Sequence, residues 1–83
     1  MAPFDYALSA EAHRAVVQLR FRQREKLADY FDQIAARPAT KGDFVEYDSV
    51  GRPHEVKLVD DFLITFRADH AAREIRIVRV EKA

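Results

Sequence analysis

Residues 51–80 read GRPHEVKLVDDFLITFRADHAAREIRIVRV and contain three runs in which apolar and polar side chains alternate. The runs cover residues 54–59, 62–67 and 74–81, and they are separated by an Asp-Asp pair and by an ADHAAR segment. Alternation with a period of two is typical of strands that bury one face, and the short separations favour hairpins. We therefore expect an antiparallel sheet, covered on one face by the helical first half of the chain.

The second and third runs predict a hairpin in which Arg67 lies opposite Glu74. This register forms one charge pair and places apolar residues opposite apolar ones, as in the pair of Ile64 and Ile77. We expect the core face of this hairpin to carry Phe62, Ile64, Phe66, Ile75 and Ile77.

The hairpin before it should bring Val56 and Leu58 to the same core face. A two-residue Asp-Asp loop would place Leu58 opposite Leu63 and turn both side chains away from that face. A three-residue loop would place Leu58 opposite Phe62, so we expect the longer loop or a β-bulge here. The uncovered face of the sheet would then carry Glu55, Lys57, Leu63, Thr65, Arg67, Glu74, Arg76, Val78 and Val80.

The first half of the chain predicts a short strand at residues 4–8 and then helix. Ser9 occupies a helix N-cap position, and no Gly or Pro interrupts residues 10–36. We expect two helices with a bend after about Leu19; the alternative is one continuous helix, which would be long for so small a domain. Residues 44–48 have the composition of a further strand, whose pairing the sequence leaves open.

Composition limits the classes of protein to which the chain can belong. Its 83 residues predict a single domain, residues 1–83, and the 48% hydrophobic and 34% charged shares are those of a folded globular protein. We expect a cytoplasmic protein, because there is no cysteine, no signal-peptide pattern and no apolar run long enough for a membrane. The net charge of zero counts against strong autonomous binding of nucleic acid. The three histidines are scattered, so we expect neither a metal nor another cofactor.

The uncovered face gives the candidate catalytic residues. Three of its cations should lie near one another, namely Lys57, Arg67 and Arg76. They can hold a phosphate or the carboxylates of a partner, whereas the alternative is that they form ion pairs with neighbouring glutamates. His54 and Glu55 are the candidates for proton transfer beside them.

The same face predicts a partner-binding surface. Leu63, Val78 and Val80 form an exposed aliphatic strip in these registers, and such strips are typical of protein interfaces. Strands at the ends of the sheet also leave edges that can accept a further strand. We therefore expect either a second copy of the chain, giving a homodimer, or a different protein partner at this strip.

The order of these features resembles the RelE/ParE toxin superfamily of type II toxin–antitoxin systems. The resemblance rests on residues 4–8 followed by SAEAHRAVVQL, then on RQREKLADYFDQIAARP, and then on residues 51–80. It implies an α+β fold in which a short strand and a helical hairpin pack on one face of a mainly antiparallel sheet. It also implies a cytoplasmic toxin that inhibits growth and that a cognate antitoxin binds and neutralises.

The superfamily implies two different activities. One branch cleaves mRNA on the ribosome through attack of the 2′-hydroxyl on the adjacent phosphate, and the other branch inhibits gyrase. Lys57 matches one of two lysines that the nuclease branch has on this strand, but Glu55 stands at the other, and Leu63 stands near an expected arginine. Whether the protein is an mRNA endoribonuclease, a gyrase inhibitor or a non-catalytic interaction module of the same fold therefore stays open at the level of sequence.

Overall fold

A five-stranded mixed sheet with two helices forms the fold, in a computed structural model that describes residues 4–83. The strand order is β1-β5-β4-β3-β2; β1 is parallel to β5, and every other neighbouring pair is antiparallel. The predicted α+β fold is confirmed, with two helices rather than one continuous helix. The elements in chain order are β1 (Asp5–Leu8), α1 (Ala10–Val17), α2 (Phe21–Ala36), β2 (Phe44–Tyr47), β3 (Pro53–Val59), β4 (Phe62–Asp69) and β5 (Glu74–Lys82).

Local sequence explains where the helices begin and end. The Ser9 hydroxyl caps α1 by accepting a hydrogen bond from the Ala12 N–H at 3.0 Å, as its N-cap position predicts. The second helix ends before the Arg37-Pro38 step, because a residue that precedes proline is disfavoured in the helical region.

The hydrophobic core lies between the helices and one face of the sheet, which we call the helix-bearing face. From α2, the core takes Leu27, Phe31 and Ile34. All five core-face residues that the sequence assigns to the β4–β5 hairpin are buried there, and Val80 joins them. The strand residues of the core are Phe62, Ile64, Phe66, Ile75, Ile77 and Val80.

The loop between β3 and β4 has two residues, so the predicted longer loop is wrong. Leu58 lies opposite Leu63, and both point away from the helices. The short loop is possible because Asp60 adopts a positive φ of 53°, which Asp tolerates better than most residues. Val56 is nevertheless only 2% exposed, so its side chain is buried on the face without helices.

The register of the β4–β5 hairpin also differs from the predicted one. Arg67 lies opposite Arg76, and Glu74 lies opposite Asp69, a shift of two residues along β5. The turn is shorter than expected because Asp69 closes it, accepting a hydrogen bond from the Ala72 N–H at 3.0 Å. A shift of two keeps every side chain on its face, which is why the predicted core face survived the error in register.

A β-bulge at Val78 changes the face of every β5 residue that follows it. Phe66 lies opposite Ile77 but Thr65 lies opposite Arg79, so Val78 is the extra residue. The Val78 carbonyl accepts a hydrogen bond from the Ser9 hydroxyl at 2.7 Å, which joins the bulge to the start of α1. Val80 is therefore 5% exposed in the core, and its predicted place on the uncovered face is wrong.

The other face of the sheet carries no helix, and we call it the open face. β2 pairs with β3, which the sequence left undecided, and it forms the edge of the sheet with all four residues exposed. Pairing and alternation assign the open-face residues. They are Asp5, Ala7, Phe44, Glu46, His54, Val56, Leu58, Leu63, Thr65, Arg67, Asp69, Glu74, Arg76, Arg79 and Glu81.

Candidate functional site on the open face

The open face has a charged end and an apolar end. The charged end is built around His54, Arg67 and Arg76 at the junction of β3, β4 and β5. The apolar end consists of Phe44, Leu58 and Leu63; Phe44 and Leu58 are 51% and 49% exposed. One face therefore combines a group suited to anions with a group suited to an apolar partner.

A cleft of about 310 Å³ opens at the charged end. Arg67 and Arg76 are directly opposite each other on neighbouring strands, so their guanidinium groups project from the same face. Like charges in that arrangement repel each other and destabilise the strand pair, so an anion bound between them would be favoured. The ionisable residues that line the cleft are Asp48, Arg52, His54, Arg67, Glu74 and Arg76.

Neighbouring carboxylates partly neutralise these cations. An Arg76 Nη2 lies 3.2 Å from an oxygen of Asp69 and 3.7 Å from an oxygen of Glu74. The backbone N–H of Ala72, and then the guanidinium groups of Arg76 and Arg67, hold the pKa of the Asp69 carboxyl below its usual range. Asp69 therefore stays ionised and offsets part of the charge of Arg76 at neutral pH.

The turn between β2 and β3 positions the rest of the cleft. One oxygen of Asp48 accepts hydrogen bonds from the Arg52 N–H at 2.8 Å and the Val50 N–H at 3.0 Å. The Arg52 N–H bond chiefly lowers the pKa of Asp48, and the Val50 N–H and the charges of His54 and Arg52 add to it. His54 is 8% exposed, and its Nδ1 lies 3.2 Å from the Arg52 carbonyl oxygen. The ring is therefore held in place beside the cations.

Comparison with solved structures reveals the same architecture in chains of bacterial and archaeal RelE–RelB complexes. A chain of the RelBE2 toxin–antitoxin complex from Mycobacterium tuberculosis superposes with a TM-score of 0.79 at 14% identity, covering 99% of this chain and 100% of that one. The RelE–RelB complex from Pyrococcus horikoshii OT3 gives 0.74 at 9% identity, covering 99% and 96%. The RelBE complex from E. coli gives 0.64 at 14% identity, covering 99% and 98%. This chain has the RelE-like toxin fold.

The sequence comparisons found no relative, which fits the low identities of the structural matches. Protein-family models and curated proteins each gave no match. The RelE-like fold was nevertheless foreseen from the order of elements, because that order survives when individual residues change. At these identities the likeness describes the fold alone.

The five candidate catalytic residues divide between the two faces of the RelE-like sheet. His54, Arg67 and Arg76 lie together at the cleft, whereas Glu55 and Lys57 lie opposite Phe66 and Ile64 on the helix-bearing face. The expectation that Lys57 lies beside Arg67 and Arg76 is therefore wrong. The short loop after β3 is the reason, because it reverses the face of every β3 residue.

Both displaced residues have structural partners. Lys57 Nζ lies 3.0 Å from an oxygen of Asp43, and the other oxygen of Asp43 accepts a hydrogen bond from the Leu58 N–H. A Glu55 oxygen accepts a hydrogen bond from the Gly42 N–H at 2.7 Å. These contacts tie the loop before β2 to β3.

The predicted aliphatic strip is also divided. Leu63 is half-buried on the open face, and Val78 is half-buried at the bulge, where it lines the cleft. Val80 lies in the core, so the three residues do not form one surface. The exposed apolar side chains of this region belong instead to β2, β3 and the turn between them, and they are Phe44, Val45, Tyr47, Val50 and Leu58.

Sequence reasoning missed Arg52 and Arg79. Arg52 lies in a turn and so has no alternation to assign its face, and the bulge moves Arg79 to the open face. Within residues 4–83, no group of three or more acidic or histidine side chains is arranged to hold a metal ion. Across the same residues, neither helix is long and apolar enough to cross a membrane.

Proposed function

We propose that this chain is the toxin component of a type II toxin–antitoxin pair, that it inhibits growth by cleaving mRNA on the ribosome, and that a cognate antitoxin neutralises it. The fold supports the general assignment. The observation that supports the activity is the cleft in which Arg67 faces Arg76 beside His54 on a surface without helices. We assign the reaction to these three residues rather than to Lys57 and Glu55, since the latter pair lies on the other face.

The proposed chemistry needs a phosphate-binding group and a proton carrier. In RNA cleavage the 2′-oxygen bonds to the adjacent phosphorus, its proton passes to a base, and the bond from phosphorus to the 5′-oxygen breaks. Arg67 and Arg76 would stabilise the charge that builds on the phosphate oxygens, because guanidinium groups bind phosphate through paired hydrogen bonds. His54 would accept or return the proton, since one nitrogen of an imidazole ring can accept a proton and the other can donate one.

Growth and cleavage assays test this proposal together. Expression should arrest growth, and co-expression of a neighbouring open reading frame of antitoxin size should restore it. Purified protein should cleave mRNA on programmed ribosomes. His54→Ala should slow cleavage by on the order of 100-fold, as is typical when a general acid or base is removed. Arg67→Ala and Arg76→Ala should also slow it, whereas Lys26→Ala should not.

The Lys26 variant is a matched control because it removes one exposed positive charge on α2, away from the open face. Cleavage by the His54 and Arg67 variants at the wild-type rate would refute the assigned site. Growth arrest without mRNA cleavage would refute the proposed activity, and inhibition of purified gyrase would then identify the other branch. Harmless expression would leave the chain as a non-catalytic interaction module.

We also propose that the antitoxin contacts the apolar end of the open face. Phe44 and Leu58 are about half exposed next to Leu63, and every residue of the neighbouring edge strand β2 is exposed. Exposed apolar side chains beside an unpaired strand edge are typical of surfaces that bind a partner. A non-catalytic interaction module of the same fold would use this surface as well. The test of the surface therefore measures binding rather than activity.

Leu58→Glu should weaken binding of the co-expressed antitoxin by about 30-fold, the effect of a hot-spot residue. Val50→Glu is the matched control, because it places the same charge at a side chain that is 77% exposed in the adjoining turn. Equal affinities of both variants, measured by calorimetry, would remove the apolar end from the interface. Sedimentation of the wild type alone would show whether a second copy binds there instead.

A further inference from the structure

An ion pair crosses the open face between its two ends. Arg79 of β5 contacts Glu46 of β2 through Nη2 and Oε1, although β4 and β3 lie between these strands. Three strand spacings of ~4.8 Å would separate β5 from β2 by about 14 Å in a flat sheet. The sheet therefore curves so that its open face is concave. The ion pair of Arg79 and Glu46 crosses this hollow, and we call it the strap.

Two residues below this strap are buried on a face that no helix covers. Thr65 and Val56 follow Arg79 across the neighbouring strands, and they are 4% and 2% exposed. The Thr65 hydroxyl is buried and has no hydrogen-bond partner among residues 4–83. A buried hydroxyl without a partner is destabilising, so a polar ligand group that reached Thr65 would be favoured.

The strap itself is suited to opening. The Arg79 side chain is 36% exposed, and Glu46 and Glu81, which lies 3.3 Å from Arg79 Nε, are about half exposed. Exposed ion pairs of this kind contribute little to stability, so the guanidinium can exchange one anion for another at small cost. Phosphate is a strong competitor because it presents several oxygens to the planar guanidinium group.

The strap adjoins the cleft of the proposed reaction. A second hollow of about 270 Å³ is lined by Glu11, Glu46, Tyr47, Thr65 and Arg79, and it shares Asp48, His54 and Val78 with the cleft. A chain of phosphates bound at Arg67 and Arg76 would therefore continue towards Arg79. We infer that Arg79 is a second phosphate-binding group of the open face and that Glu46 holds it closed until RNA displaces the carboxylate.

This inference rests on the proposed function, since it assumes that the open face binds RNA. Binding of a single-stranded RNA oligonucleotide, measured by fluorescence anisotropy over a range of salt concentrations, tests it. Glu46→Gln should tighten binding by about two- to fivefold, the most that release from an exposed ion pair allows. Arg79→Ala should weaken binding and reduce the slope of log affinity against log salt by about 0.7, one phosphate contact.

Opposite effects of the two variants separate a binding role from a structural one. If the ion pair only braced the sheet, breaking it from either side would weaken binding in both variants. Glu25→Gln is the control, because it removes the same charge from an exposed position on α2. The double variant Glu46→Gln/Arg79→Ala should bind like Arg79→Ala, because Glu46 acts only through Arg79.

Each result has one reading. RNA binding by the wild type that neither Glu46→Gln nor Arg79→Ala alters overturns the strap and leaves the proposed function intact. Equal gains from Glu46→Gln and Glu25→Gln also overturn it, since net charge would then be the cause. Failure of wild type and Glu46→Gln alike to bind RNA overturns the strap, and the cleavage assay on programmed ribosomes then decides the proposed function separately. Binding by Glu46→Gln alone supports the strap.

Discussion

Replacing Val80 and Val78 by alanine in separate variants tests the bulge in β5. Val80 is 5% exposed opposite Ile64, so Val80→Ala removes two buried methyl groups. At about 0.8 kcal/mol for each group, with a term for the cavity, the loss in the free energy of unfolding is about 2–3 kcal/mol. In a domain of this size that loss lowers Tm by roughly 8–24 °C. Val78 is half-buried at the bulge, and Val78→Ala should lose less than about 1 kcal/mol.

Urea unfolding followed by circular dichroism measures both variants under the same conditions. The midpoint of Val80→Ala should fall with an unchanged dependence on urea concentration, which marks a change in stability rather than in compactness. In a strand without a bulge, Val78 and Val80 would lie on the same face and would respond alike. Equal losses, or a larger loss for Val78→Ala, would therefore refute the bulge and return Val80 to the open face.

Three further predictions test separate features of the structure. Lys57→Ala should leave mRNA cleavage at the wild-type rate, because Lys57 lies on the helix-bearing face; a large loss would place the active site there instead. Gly42→Ala should destabilise the fold by about 1–3 kcal/mol in thermal unfolding, because its Cβ would lie 2.4 Å from the Val56 carbonyl oxygen. Gly51→Ala is the comparison, because its Cβ would meet no atom within 4 Å and the variant carries only the strain of φ 81°. Asp69→Asn should be less stable than the wild type at neutral pH and equal to it in acid. The lowered pKa of Asp69 contributes stability that is lost as pH falls below about 3.8. A difference in stability that stays constant across pH would contradict this.

The elements and the core could be predicted because their signals are local. Ser9 caps α1, and the helices stop where the Arg37-Pro38 step requires it. The alternating apolar residues of β4 and β5 identified the core face without any knowledge of register, since a shift of two residues changes no face. The RelE-like fold follows from the order of such elements.

The composition of the open face could not be predicted as safely, because it depends on single-residue events. The pattern Ile75-Arg76-Ile77-Val78-Arg79-Val80 does carry a signal of the bulge, since two adjacent apolar residues interrupt the alternation. A regular strand with Val78 and Val80 on the open face explains the pattern as well as a bulged strand does. Only the pairing with β4 decides between them. The loop after β3 gave no such signal, because its choice rested on the assumption that Val56 and Leu58 face the helices.

These two events decide which chemistry the open face can perform. With the longer loop, Lys57 would join Arg67 and Arg76, and the site would contain three permanent cations. With the observed loop, His54 takes that place, so a group that can carry a proton lies beside two groups that can hold a phosphate. The bulge then adds Arg79 to the same face. A chain with zero net charge can thus place Arg67, Arg76 and Arg79 on one concave surface beside several carboxylates, because strand parity, and not overall composition, determines what a ligand meets.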